Sequence, residues 1–187
     1  MYRINDLSIE EQIELIKEAP LNFRLIKNPS IEVQLIAIKN NGTYKPFIRY
    51  IKDPCLEVQL ASVTHMGSII RHIVNPCEEV QLAAVRDSAS AIEYIDNPTE
   101  KVQIEAVKKD SEAIQYIKNP CLEAQIEAFK RCKNFVALPT FDLDLILEKL
   151  DVLPKSLFKT LYENHYPFKE ELKETAKYKK ALVNYGV

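Results

Sequence analysis

The sequence contains very little glycine, three residues in 187. Loops that cradle phosphate groups need several closely spaced glycines, so a nucleotide-binding loop of that kind is excluded. The sequence also lacks an HExxH motif, a Cys/His pair at a recognisable spacing, and a paired-carboxylate motif. These absences argue against an enzyme.

Long apolar runs and a strong charge of one sign are absent as well. The formal net charge is −2 and 47% of the residues are hydrophobic. No global field therefore draws the chain to nucleic acid or to anionic lipid. Acidic residues (Asp6, Glu10 and Glu11) stand where a signal peptide would be apolar, and no run is long enough to span a bilayer. We expect a folded cytoplasmic protein without a membrane partner.

What the sequence does contain is a repeated phrase, in which Asn or Asp precedes proline and Gln follows five residues after that proline. The prolines are Pro29, Pro54, Pro76, Pro98 and Pro120, which lie 25, 22, 22 and 22 residues apart. A fixed period of this length is typical of a tandem array. An atypical first unit has Leu7 in place of proline, so the pattern predicts six units over residues 6–139.

Each unit is predicted to form two short helices. Asn or Asp is expected to cap the first helix, which would begin at the proline, with Glu78 and Glu100 completing capping boxes in two units. Counted from the proline, positions +4, +6 and +9 are apolar and position +8 is small, as in an amphipathic helix with a closely packed face. The second apolar cluster is about two turns long and is expected to be partly 3₁₀.

The phrase in its full form is Val80-Gln81-Leu82-Ala83-Ala84-Val85. It resembles the Val-Gln-Leu-Ala-Ala-Val repeat arrays of phage and bacterial proteins, and the long and short helices resemble the leucine-rich-variant repeats. The resemblance implies an all-α, right-handed α-solenoid with an interaction role and no catalytic residue. Residues 140–187 lack the phrase and are predicted to form a helical cap that covers the end of the array in residues 1–139.

Cysteine supports neither a disulfide framework nor a metal site. Cys55, Cys77 and Cys121 occupy the same position in different units. Neighbouring helices pack about 8–10 Å apart, whereas a disulfide needs Cα atoms within about 7 Å. His65 and His72 add no ligand cluster at zinc spacing. We expect reduced cysteines, no metal and no cofactor.

Several rows of equivalent residues are candidate partner-binding surfaces, each with a structural alternative. A basic row at position +10 suits a phosphate backbone or an acidic protein, but also a helix C-terminus: Lys39, Arg86, Lys108 and Lys130. A ring row four residues before the next proline suits recognition or packing between units: Tyr50, His72, Tyr94 and Tyr116. The row of Gln residues at +5 is expected to be structural, with each amide bonding the backbone of a neighbouring unit.

Two irregularities add further candidates. Three extra residues between Pro29 and Pro54 predict a projecting loop that includes Tyr44. Position +7 is apolar early in the array, at Ile36, Ala61 and Ala83, and acidic later, at Glu105 and Glu127. An exposed apolar stripe there would be a contact surface.

The sequence thus favours a non-enzymatic protein that binds another macromolecule. We expect a protein partner, with the chain acting as an adaptor or as an inhibitor, for example a phage protein acting on a host or defence complex. The alternative is a helical-repeat protein that binds a nucleic-acid backbone through the basic row.

Overall fold

The computed structural model describes residues 4–40 and 46–131, apart from the side chain of Phe129. Within these ranges every regular element is helical and none is a strand, which confirms the all-α prediction for this part of the chain. Tyr44 and the predicted cap at 140–187 lie outside the described residues.

Ten-residue α-helices alternate with short 3₁₀ helices. The α-helices are α1 (Ile9–Glu18), α2 (Ile31–Asn40), α3 (Leu56–His65), α4 (Glu78–Asp87), α5 (Glu100–Lys109) and α6 (Leu122–Arg131). The 3₁₀ helices are η1 (Ile4–Asp6), η2 (Pro20–Leu25), η3 (Phe47–Tyr50), η4 (Gly67–His72), η5 (Ala89–Tyr94) and η6 (Ser111–Tyr116). The described helices fall into two compact units, Met1–Val102 and Gln103–Val187.

The α-helices begin two residues later than the sequence pattern predicted. In α1 the N-cap is Ser8, whose hydroxyl accepts from the Glu11 N–H while the Glu11 carboxylate accepts from the Ser8 N–H. Ser30 and Thr99 accept in the same way from Val33 and Val102. Cys55 and Cys77 are the N-caps of α3 and α4 without a side-chain bond. The residue after the proline is therefore the cap.

This shift also corrects the predicted capping boxes. Glu78 and Glu100 are the first residues of α4 and α5 rather than the third, so neither occupies the position from which a capping box is made.

In three repeats the Asn or Asp before the proline lies in a left-handed turn and does not cap the helix. Asn28, Asp53 and Asn75 have positive φ angles of 50°, 50° and 48°. The left-handed region is open to glycine and, among other residues, most readily to Asn and Asp. These three residues turn the chain from η2, η3 and η4 into α2, α3 and α4, a conformation that many proteins reach with glycine.

The core of the first unit is built from residues at repeating positions. Position +4 holds a valine that is 0% exposed in α2, α3, α4 and α5: Val33, Val58, Val80 and Val102. Each 3₁₀ helix adds an apolar side chain six residues before the next proline, and each following turn adds an isoleucine three residues before it: Phe23, Ile48, Ile70 and Ile92, then Ile26, Ile51, Ile73 and Ile95. Burial of this ladder stabilises helices too short to persist alone.

Small residues at +8 allow close helix packing in the first unit. Ala37, Ser62 and Ala84 are at most 1% exposed, and the Ser62 hydroxyl donates to the Val58 carbonyl over 2.8 Å. The chain also approaches closely at Gly67, where a Cβ would overlap the carbonyl oxygen of Ala84. The Gly67 N–H donates to the Asp87 carboxylate over 2.7 Å, so η4 is joined to the C-terminal end of α4.

The described part of the second unit, residues 103–131, has the same interior. Ala106, Val107, Ile114 and Ala124 are 0–4% exposed, and α6 packs against η6. The Asp110 carboxylate caps η6 by accepting from the Glu112 N–H. Arg131 donates to the Lys108 carbonyl over 3.2 Å, which links the last turns of α5 and α6.

Candidate functional site: a row of rings and guanidinium groups

The predicted ring row is exposed on the 3₁₀ helices. In the first unit Tyr50 is 45% exposed and Tyr94 is 40% exposed, while His72 is half-buried. In the second unit Tyr116 is 40% exposed. In the sequence, each ring follows an exposed residue and precedes one of the buried isoleucines. The rings lie at the surface rather than in the core.

Three arginines of the first unit accompany the rings. Arg24, Arg49 and Arg71 each lie five residues before the next proline, in the last turns of η2, η3 and η4. Arg24 and Arg49 both lie over the Tyr50 ring, with Cζ 5.7 and 5.2 Å from its centroid. We name these three residues the arginine row.

The third arginine contacts the ring of the repeat that follows it, as Arg24 does. Arg71 lies over the Tyr94 ring, with Cζ 5.8 Å from the centroid. Stacking on a ring holds a guanidinium in place while its N–H groups remain open to solvent. Sequence analysis missed the arginine row. The signal was present, because arginine recurs one residue before the predicted ring row, but an exposed cation at a helix end is also typical of any solvated surface.

His72 lies within the field of this row. Partial burial, followed by the charges of Arg71 and Arg49, lowers the pKa of His72 below its ordinary value. Arg71 Nε donates to His72 Nε2 over 3.3 Å, which requires that nitrogen to be unprotonated. His72 therefore accepts a hydrogen bond here, and the local potential is positive.

A pocket of about 440 Å³ opens beside the arginine row, also within the first unit. Its walls include the buried Ile70, Ile73 and Ile95, and Arg71 and Tyr94 both line it. Its polar lining comes from α4 and from the turns before and after the α4–η5 segment: Gln81, then Asn75, Asp96 and Asn97. The pocket is large enough for a side chain of a bound molecule and too small for a folded domain.

The predicted basic row is exposed in both units. Lys39 and Arg86 are exposed near the C-terminal ends of α2 and α4 in the first unit. Lys108 and Lys130 are exposed near the ends of α5 and α6 in the second. Such cations also interact favourably with the helix dipole. Their position fits either of the two roles foreseen for them.

The expected apolar stripe is only partly open. Ile36, Ala61 and Ala83 are half-buried, because position +7 lies beside the packed face of each α-helix. Exposed apolar side chains occur instead at the first residue of α1, α2 and α3: Ile9 (41%), Ile31 (49%) and Leu56 (45%). In α4 and α5 this first residue is glutamate.

Most of the Gln row forms hydrogen bonds within its own repeats, whereas the prediction placed every bond between neighbouring repeats. Each of five side-chain amides donates to the carbonyl of the residue at the proline position of its own repeat, over 2.7–3.0 Å: Gln12, Gln34, Gln59, Gln81 and Gln125. In the second unit, the side-chain oxygen Oε1 of Gln103 accepts from the backbone N–H of Cys121, in the next repeat, over 2.7 Å. These bonds support the structural interpretation of the row.

In residues 4–40 and 46–131, no group of three or more His, Cys, Asp or Glu side chains has a geometry suited to a metal ion. Cys55 and Cys77 carry free thiols. None of the helices described has both the length and the apolar character needed to cross a membrane.

The chain matches none of the family models, curated proteins or solved structures with which it was compared.

Proposed function

We propose that this chain is a non-enzymatic α-solenoid of six two-helix repeats, capped by residues 140–187, that binds another protein as an adaptor or inhibitor. The regular alternation of ten-residue α-helices with short 3₁₀ helices supports the solenoid. An array of this kind offers an extended surface made from equivalent positions, which suits recognition better than catalysis.

The observation that carries the binding role is the pairing of exposed rings with guanidinium groups on η3, η4 and η5. The core does not need these side chains, because the buried isoleucine and phenylalanine ladder already fills the inner positions. Tyrosine and arginine are among the residues that contribute most binding energy at protein interfaces. A surface that holds both types in fixed contact loses little conformational freedom when a partner binds.

Site-specific photocrosslinking in native lysate tests this proposal. A photoreactive phenylalanine analogue at Tyr94 is expected to yield a discrete crosslinked protein that mass spectrometry identifies. The matched control places the same analogue at Glu57, which is exposed in the first turn of α3. Equal adducts from the two positions, or none from Tyr94, would contradict a binding role for the ring row.

The second candidate is binding to a nucleic-acid backbone through the basic row. Exposure of Lys39 and Arg86 in the first unit, and of Lys108 and Lys130 in the second, favours it. Such binding weakens steeply with salt, because each phosphate contact releases counterions. The triple substitution Arg86→Glu, Lys108→Glu and Lys130→Glu is expected to abolish it. If a folded triple variant binds nucleic acid like the wild type, the basic row is not the site.

A further inference from the structure

The arginine row is a continuous group of cations within the first unit. Arg24 and Arg49 share the Tyr50 ring, and Arg49 and Arg71 both act on His72. The three guanidinium groups therefore follow one another along η2, η3 and η4. All three arginines are exposed, so a ligand can reach them.

Within the part of the chain that the structure describes, no carboxylate neutralises this row. Ion pairs in these ranges include those of Lys17, Lys101 and Arg131, whereas the contacts of Arg24, Arg49 and Arg71 with other described residues are with rings and His72. Neighbouring guanidinium groups repel one another. An anionic ligand would relieve that repulsion and would find the hydrogen-bond donors already oriented.

The positive surface has a defined end. Two positions of the repeat hold cations early in the array: Arg24, Arg49 and Arg71 five residues before the next proline, and Lys27 and Lys52 two residues before it. The second position is neutral at Val74. One repeat later the two positions hold Glu93 in the last turn of η5 and Asp96 in the turn that follows, both exposed. Both positions are therefore negative after Arg71 in the first unit. A ligand that is negative over its whole length would be repelled beyond Arg71.

From this arrangement we propose that the arginine row binds a short acidic segment of another protein, whose Asp and Glu carboxylates pair with Arg24, Arg49 and Arg71. This inference rests on the proposed protein-binding function and names its partner chemistry. A guanidinium fixed on a ring presents its N–H groups in the planar fork that a carboxylate matches with two hydrogen bonds. The pocket beside Arg71 and Tyr94 receives a side chain at the end of the segment.

The geometry favours a peptide over single-stranded nucleic acid. Proteins that bind single strands stack bases on aromatic rings along a positive groove. Here two guanidinium groups already lie over Tyr50, and Glu93 and Asp96 would repel a continuing phosphate backbone. A protein segment needs no free ring face for base stacking. Its acidic stretch can also end before it reaches Glu93 and Asp96.

Fluorescence anisotropy with purified full-length chain tests the inference. The probe is a labelled dodecapeptide of alternating Glu and Ser, and the matched peptide has Gln in place of Glu. The Glu peptide is expected to bind, with affinity falling as salt rises, and the Gln peptide is expected not to bind. Failure of the Glu peptide to bind at low salt would overturn the inference.

Charge substitutions locate the site. Arg49→Glu and Arg71→Glu are each expected to weaken binding of the Glu peptide by about tenfold or more, the loss of one charge-assisted contact. Glu93→Arg, which lengthens the row, is expected to tighten it. Lys39→Glu is the matched control, because it makes the same charge change on an α-helix, and it is expected to alter binding much less. An equal effect of Lys39→Glu would show a response to net charge alone and would refute the site.

Two further outcomes are decisive. Circular dichroism checks that each variant is folded, and Arg49→Gln replaces Arg49→Glu should the latter unfold. If single-stranded oligothymidine binds more tightly than the Glu peptide and loses affinity in the same variants, the row binds nucleic acid and the inference is wrong. If crosslinking at Tyr94 captures a protein but the Glu peptide does not bind, the proposed function stands and the acidic-segment inference falls.

Discussion

The 3₁₀ helices η4 and η5 occupy the same place in successive sequence repeats, and they differ in two informative positions. Both bury an isoleucine to 1% exposure, Ile70 and Ile92. The inner difference is at the buried first residue, which is Gly67 in η4 and Ala89 in η5. The outer difference is at the exposed fifth residue, which is Arg71 in η4 and Glu93 in η5. Packing explains the inner difference, because a Cβ at Gly67 would overlap the Ala84 carbonyl. Nothing in the packing requires the outer one, so the outer position is available for recognition.

The largest expected effect tests the shared interior. Ile70→Ala and Ile92→Ala each remove a fully buried side chain, so each is expected to lower the free energy of unfolding by about 2–5 kcal/mol. Denaturant unfolding followed by circular dichroism measures both. A large loss for one variant and almost none for the other would show that η4 and η5 are not packed equivalently.

The next effect tests the inner difference. Gly67→Ala introduces a methyl group against the Ala84 carbonyl and is expected to cost about 1–3 kcal/mol of stability. The reverse change in the neighbouring helix, Ala89→Gly, is expected to cost about 0.5–1 kcal/mol through chain entropy and lost packing. Thermal or denaturant melting compares the two. Wild-type stability of Gly67→Ala would show that the close approach of η4 to α4 relaxes without cost.

A third prediction extends the comparison to the Gln residues of the two units. Gln103→Ala leaves the Cys121 N–H without its acceptor and is expected to cost about 1–3 kcal/mol. Gln81→Ala is expected to cost less, because Gln81 Oε1 is buried without a partner among the described residues. Chemical denaturation of both variants checks the order. A larger loss for Gln81→Ala would contradict it.

The smallest effect concerns pH, since η4 ends in His72 where η5 ends in Tyr94. Burial and the charges of Arg71 and Arg49 lower the pKa of His72 from 6.5 in the folded state. The unfolded chain therefore binds the proton first as pH falls. The stability due to neutral His72 is fully present above about pH 6.5 and is lost as pH falls through the lower folded pKa.

Unfolding midpoints measured from about pH 7.5 down to about pH 5 test this linkage. His72→Gln is expected to flatten the pH dependence relative to the wild type. Parallel curves for the two proteins would mean that His72 has the same pKa in the folded and unfolded states.

The repeat period was enough to predict the helices, their buried positions and the register of the ring row, but not whether the rings are exposed or packed between repeats. Apolar residues at fixed spacing from the proline have few other uses, and Val58 and Val80 are buried as expected. The helix starts were not predictable, because Asn before proline is suited both to an N-cap and to a left-handed turn. The backbone of the completed turn decides between them. The arginine row was missed for a similar reason, since ring stacking depends on a distance that spacing alone does not give.

The left-handed turns also affect the chemical stability of the protein during storage. Exposed Asn28 and Asn75 would ordinarily risk deamidation, in which the next backbone nitrogen attacks the side-chain amide. In both turns that nitrogen belongs to proline and carries no hydrogen, so the cyclic intermediate cannot form. The turn at Asp53 gains the same protection against isomerisation but creates an Asp-Pro bond, which acid hydrolyses more readily than other peptide bonds. Long-stored protein should therefore keep Asn28 and Asn75 intact, and acid should cut it first between η3 and α3.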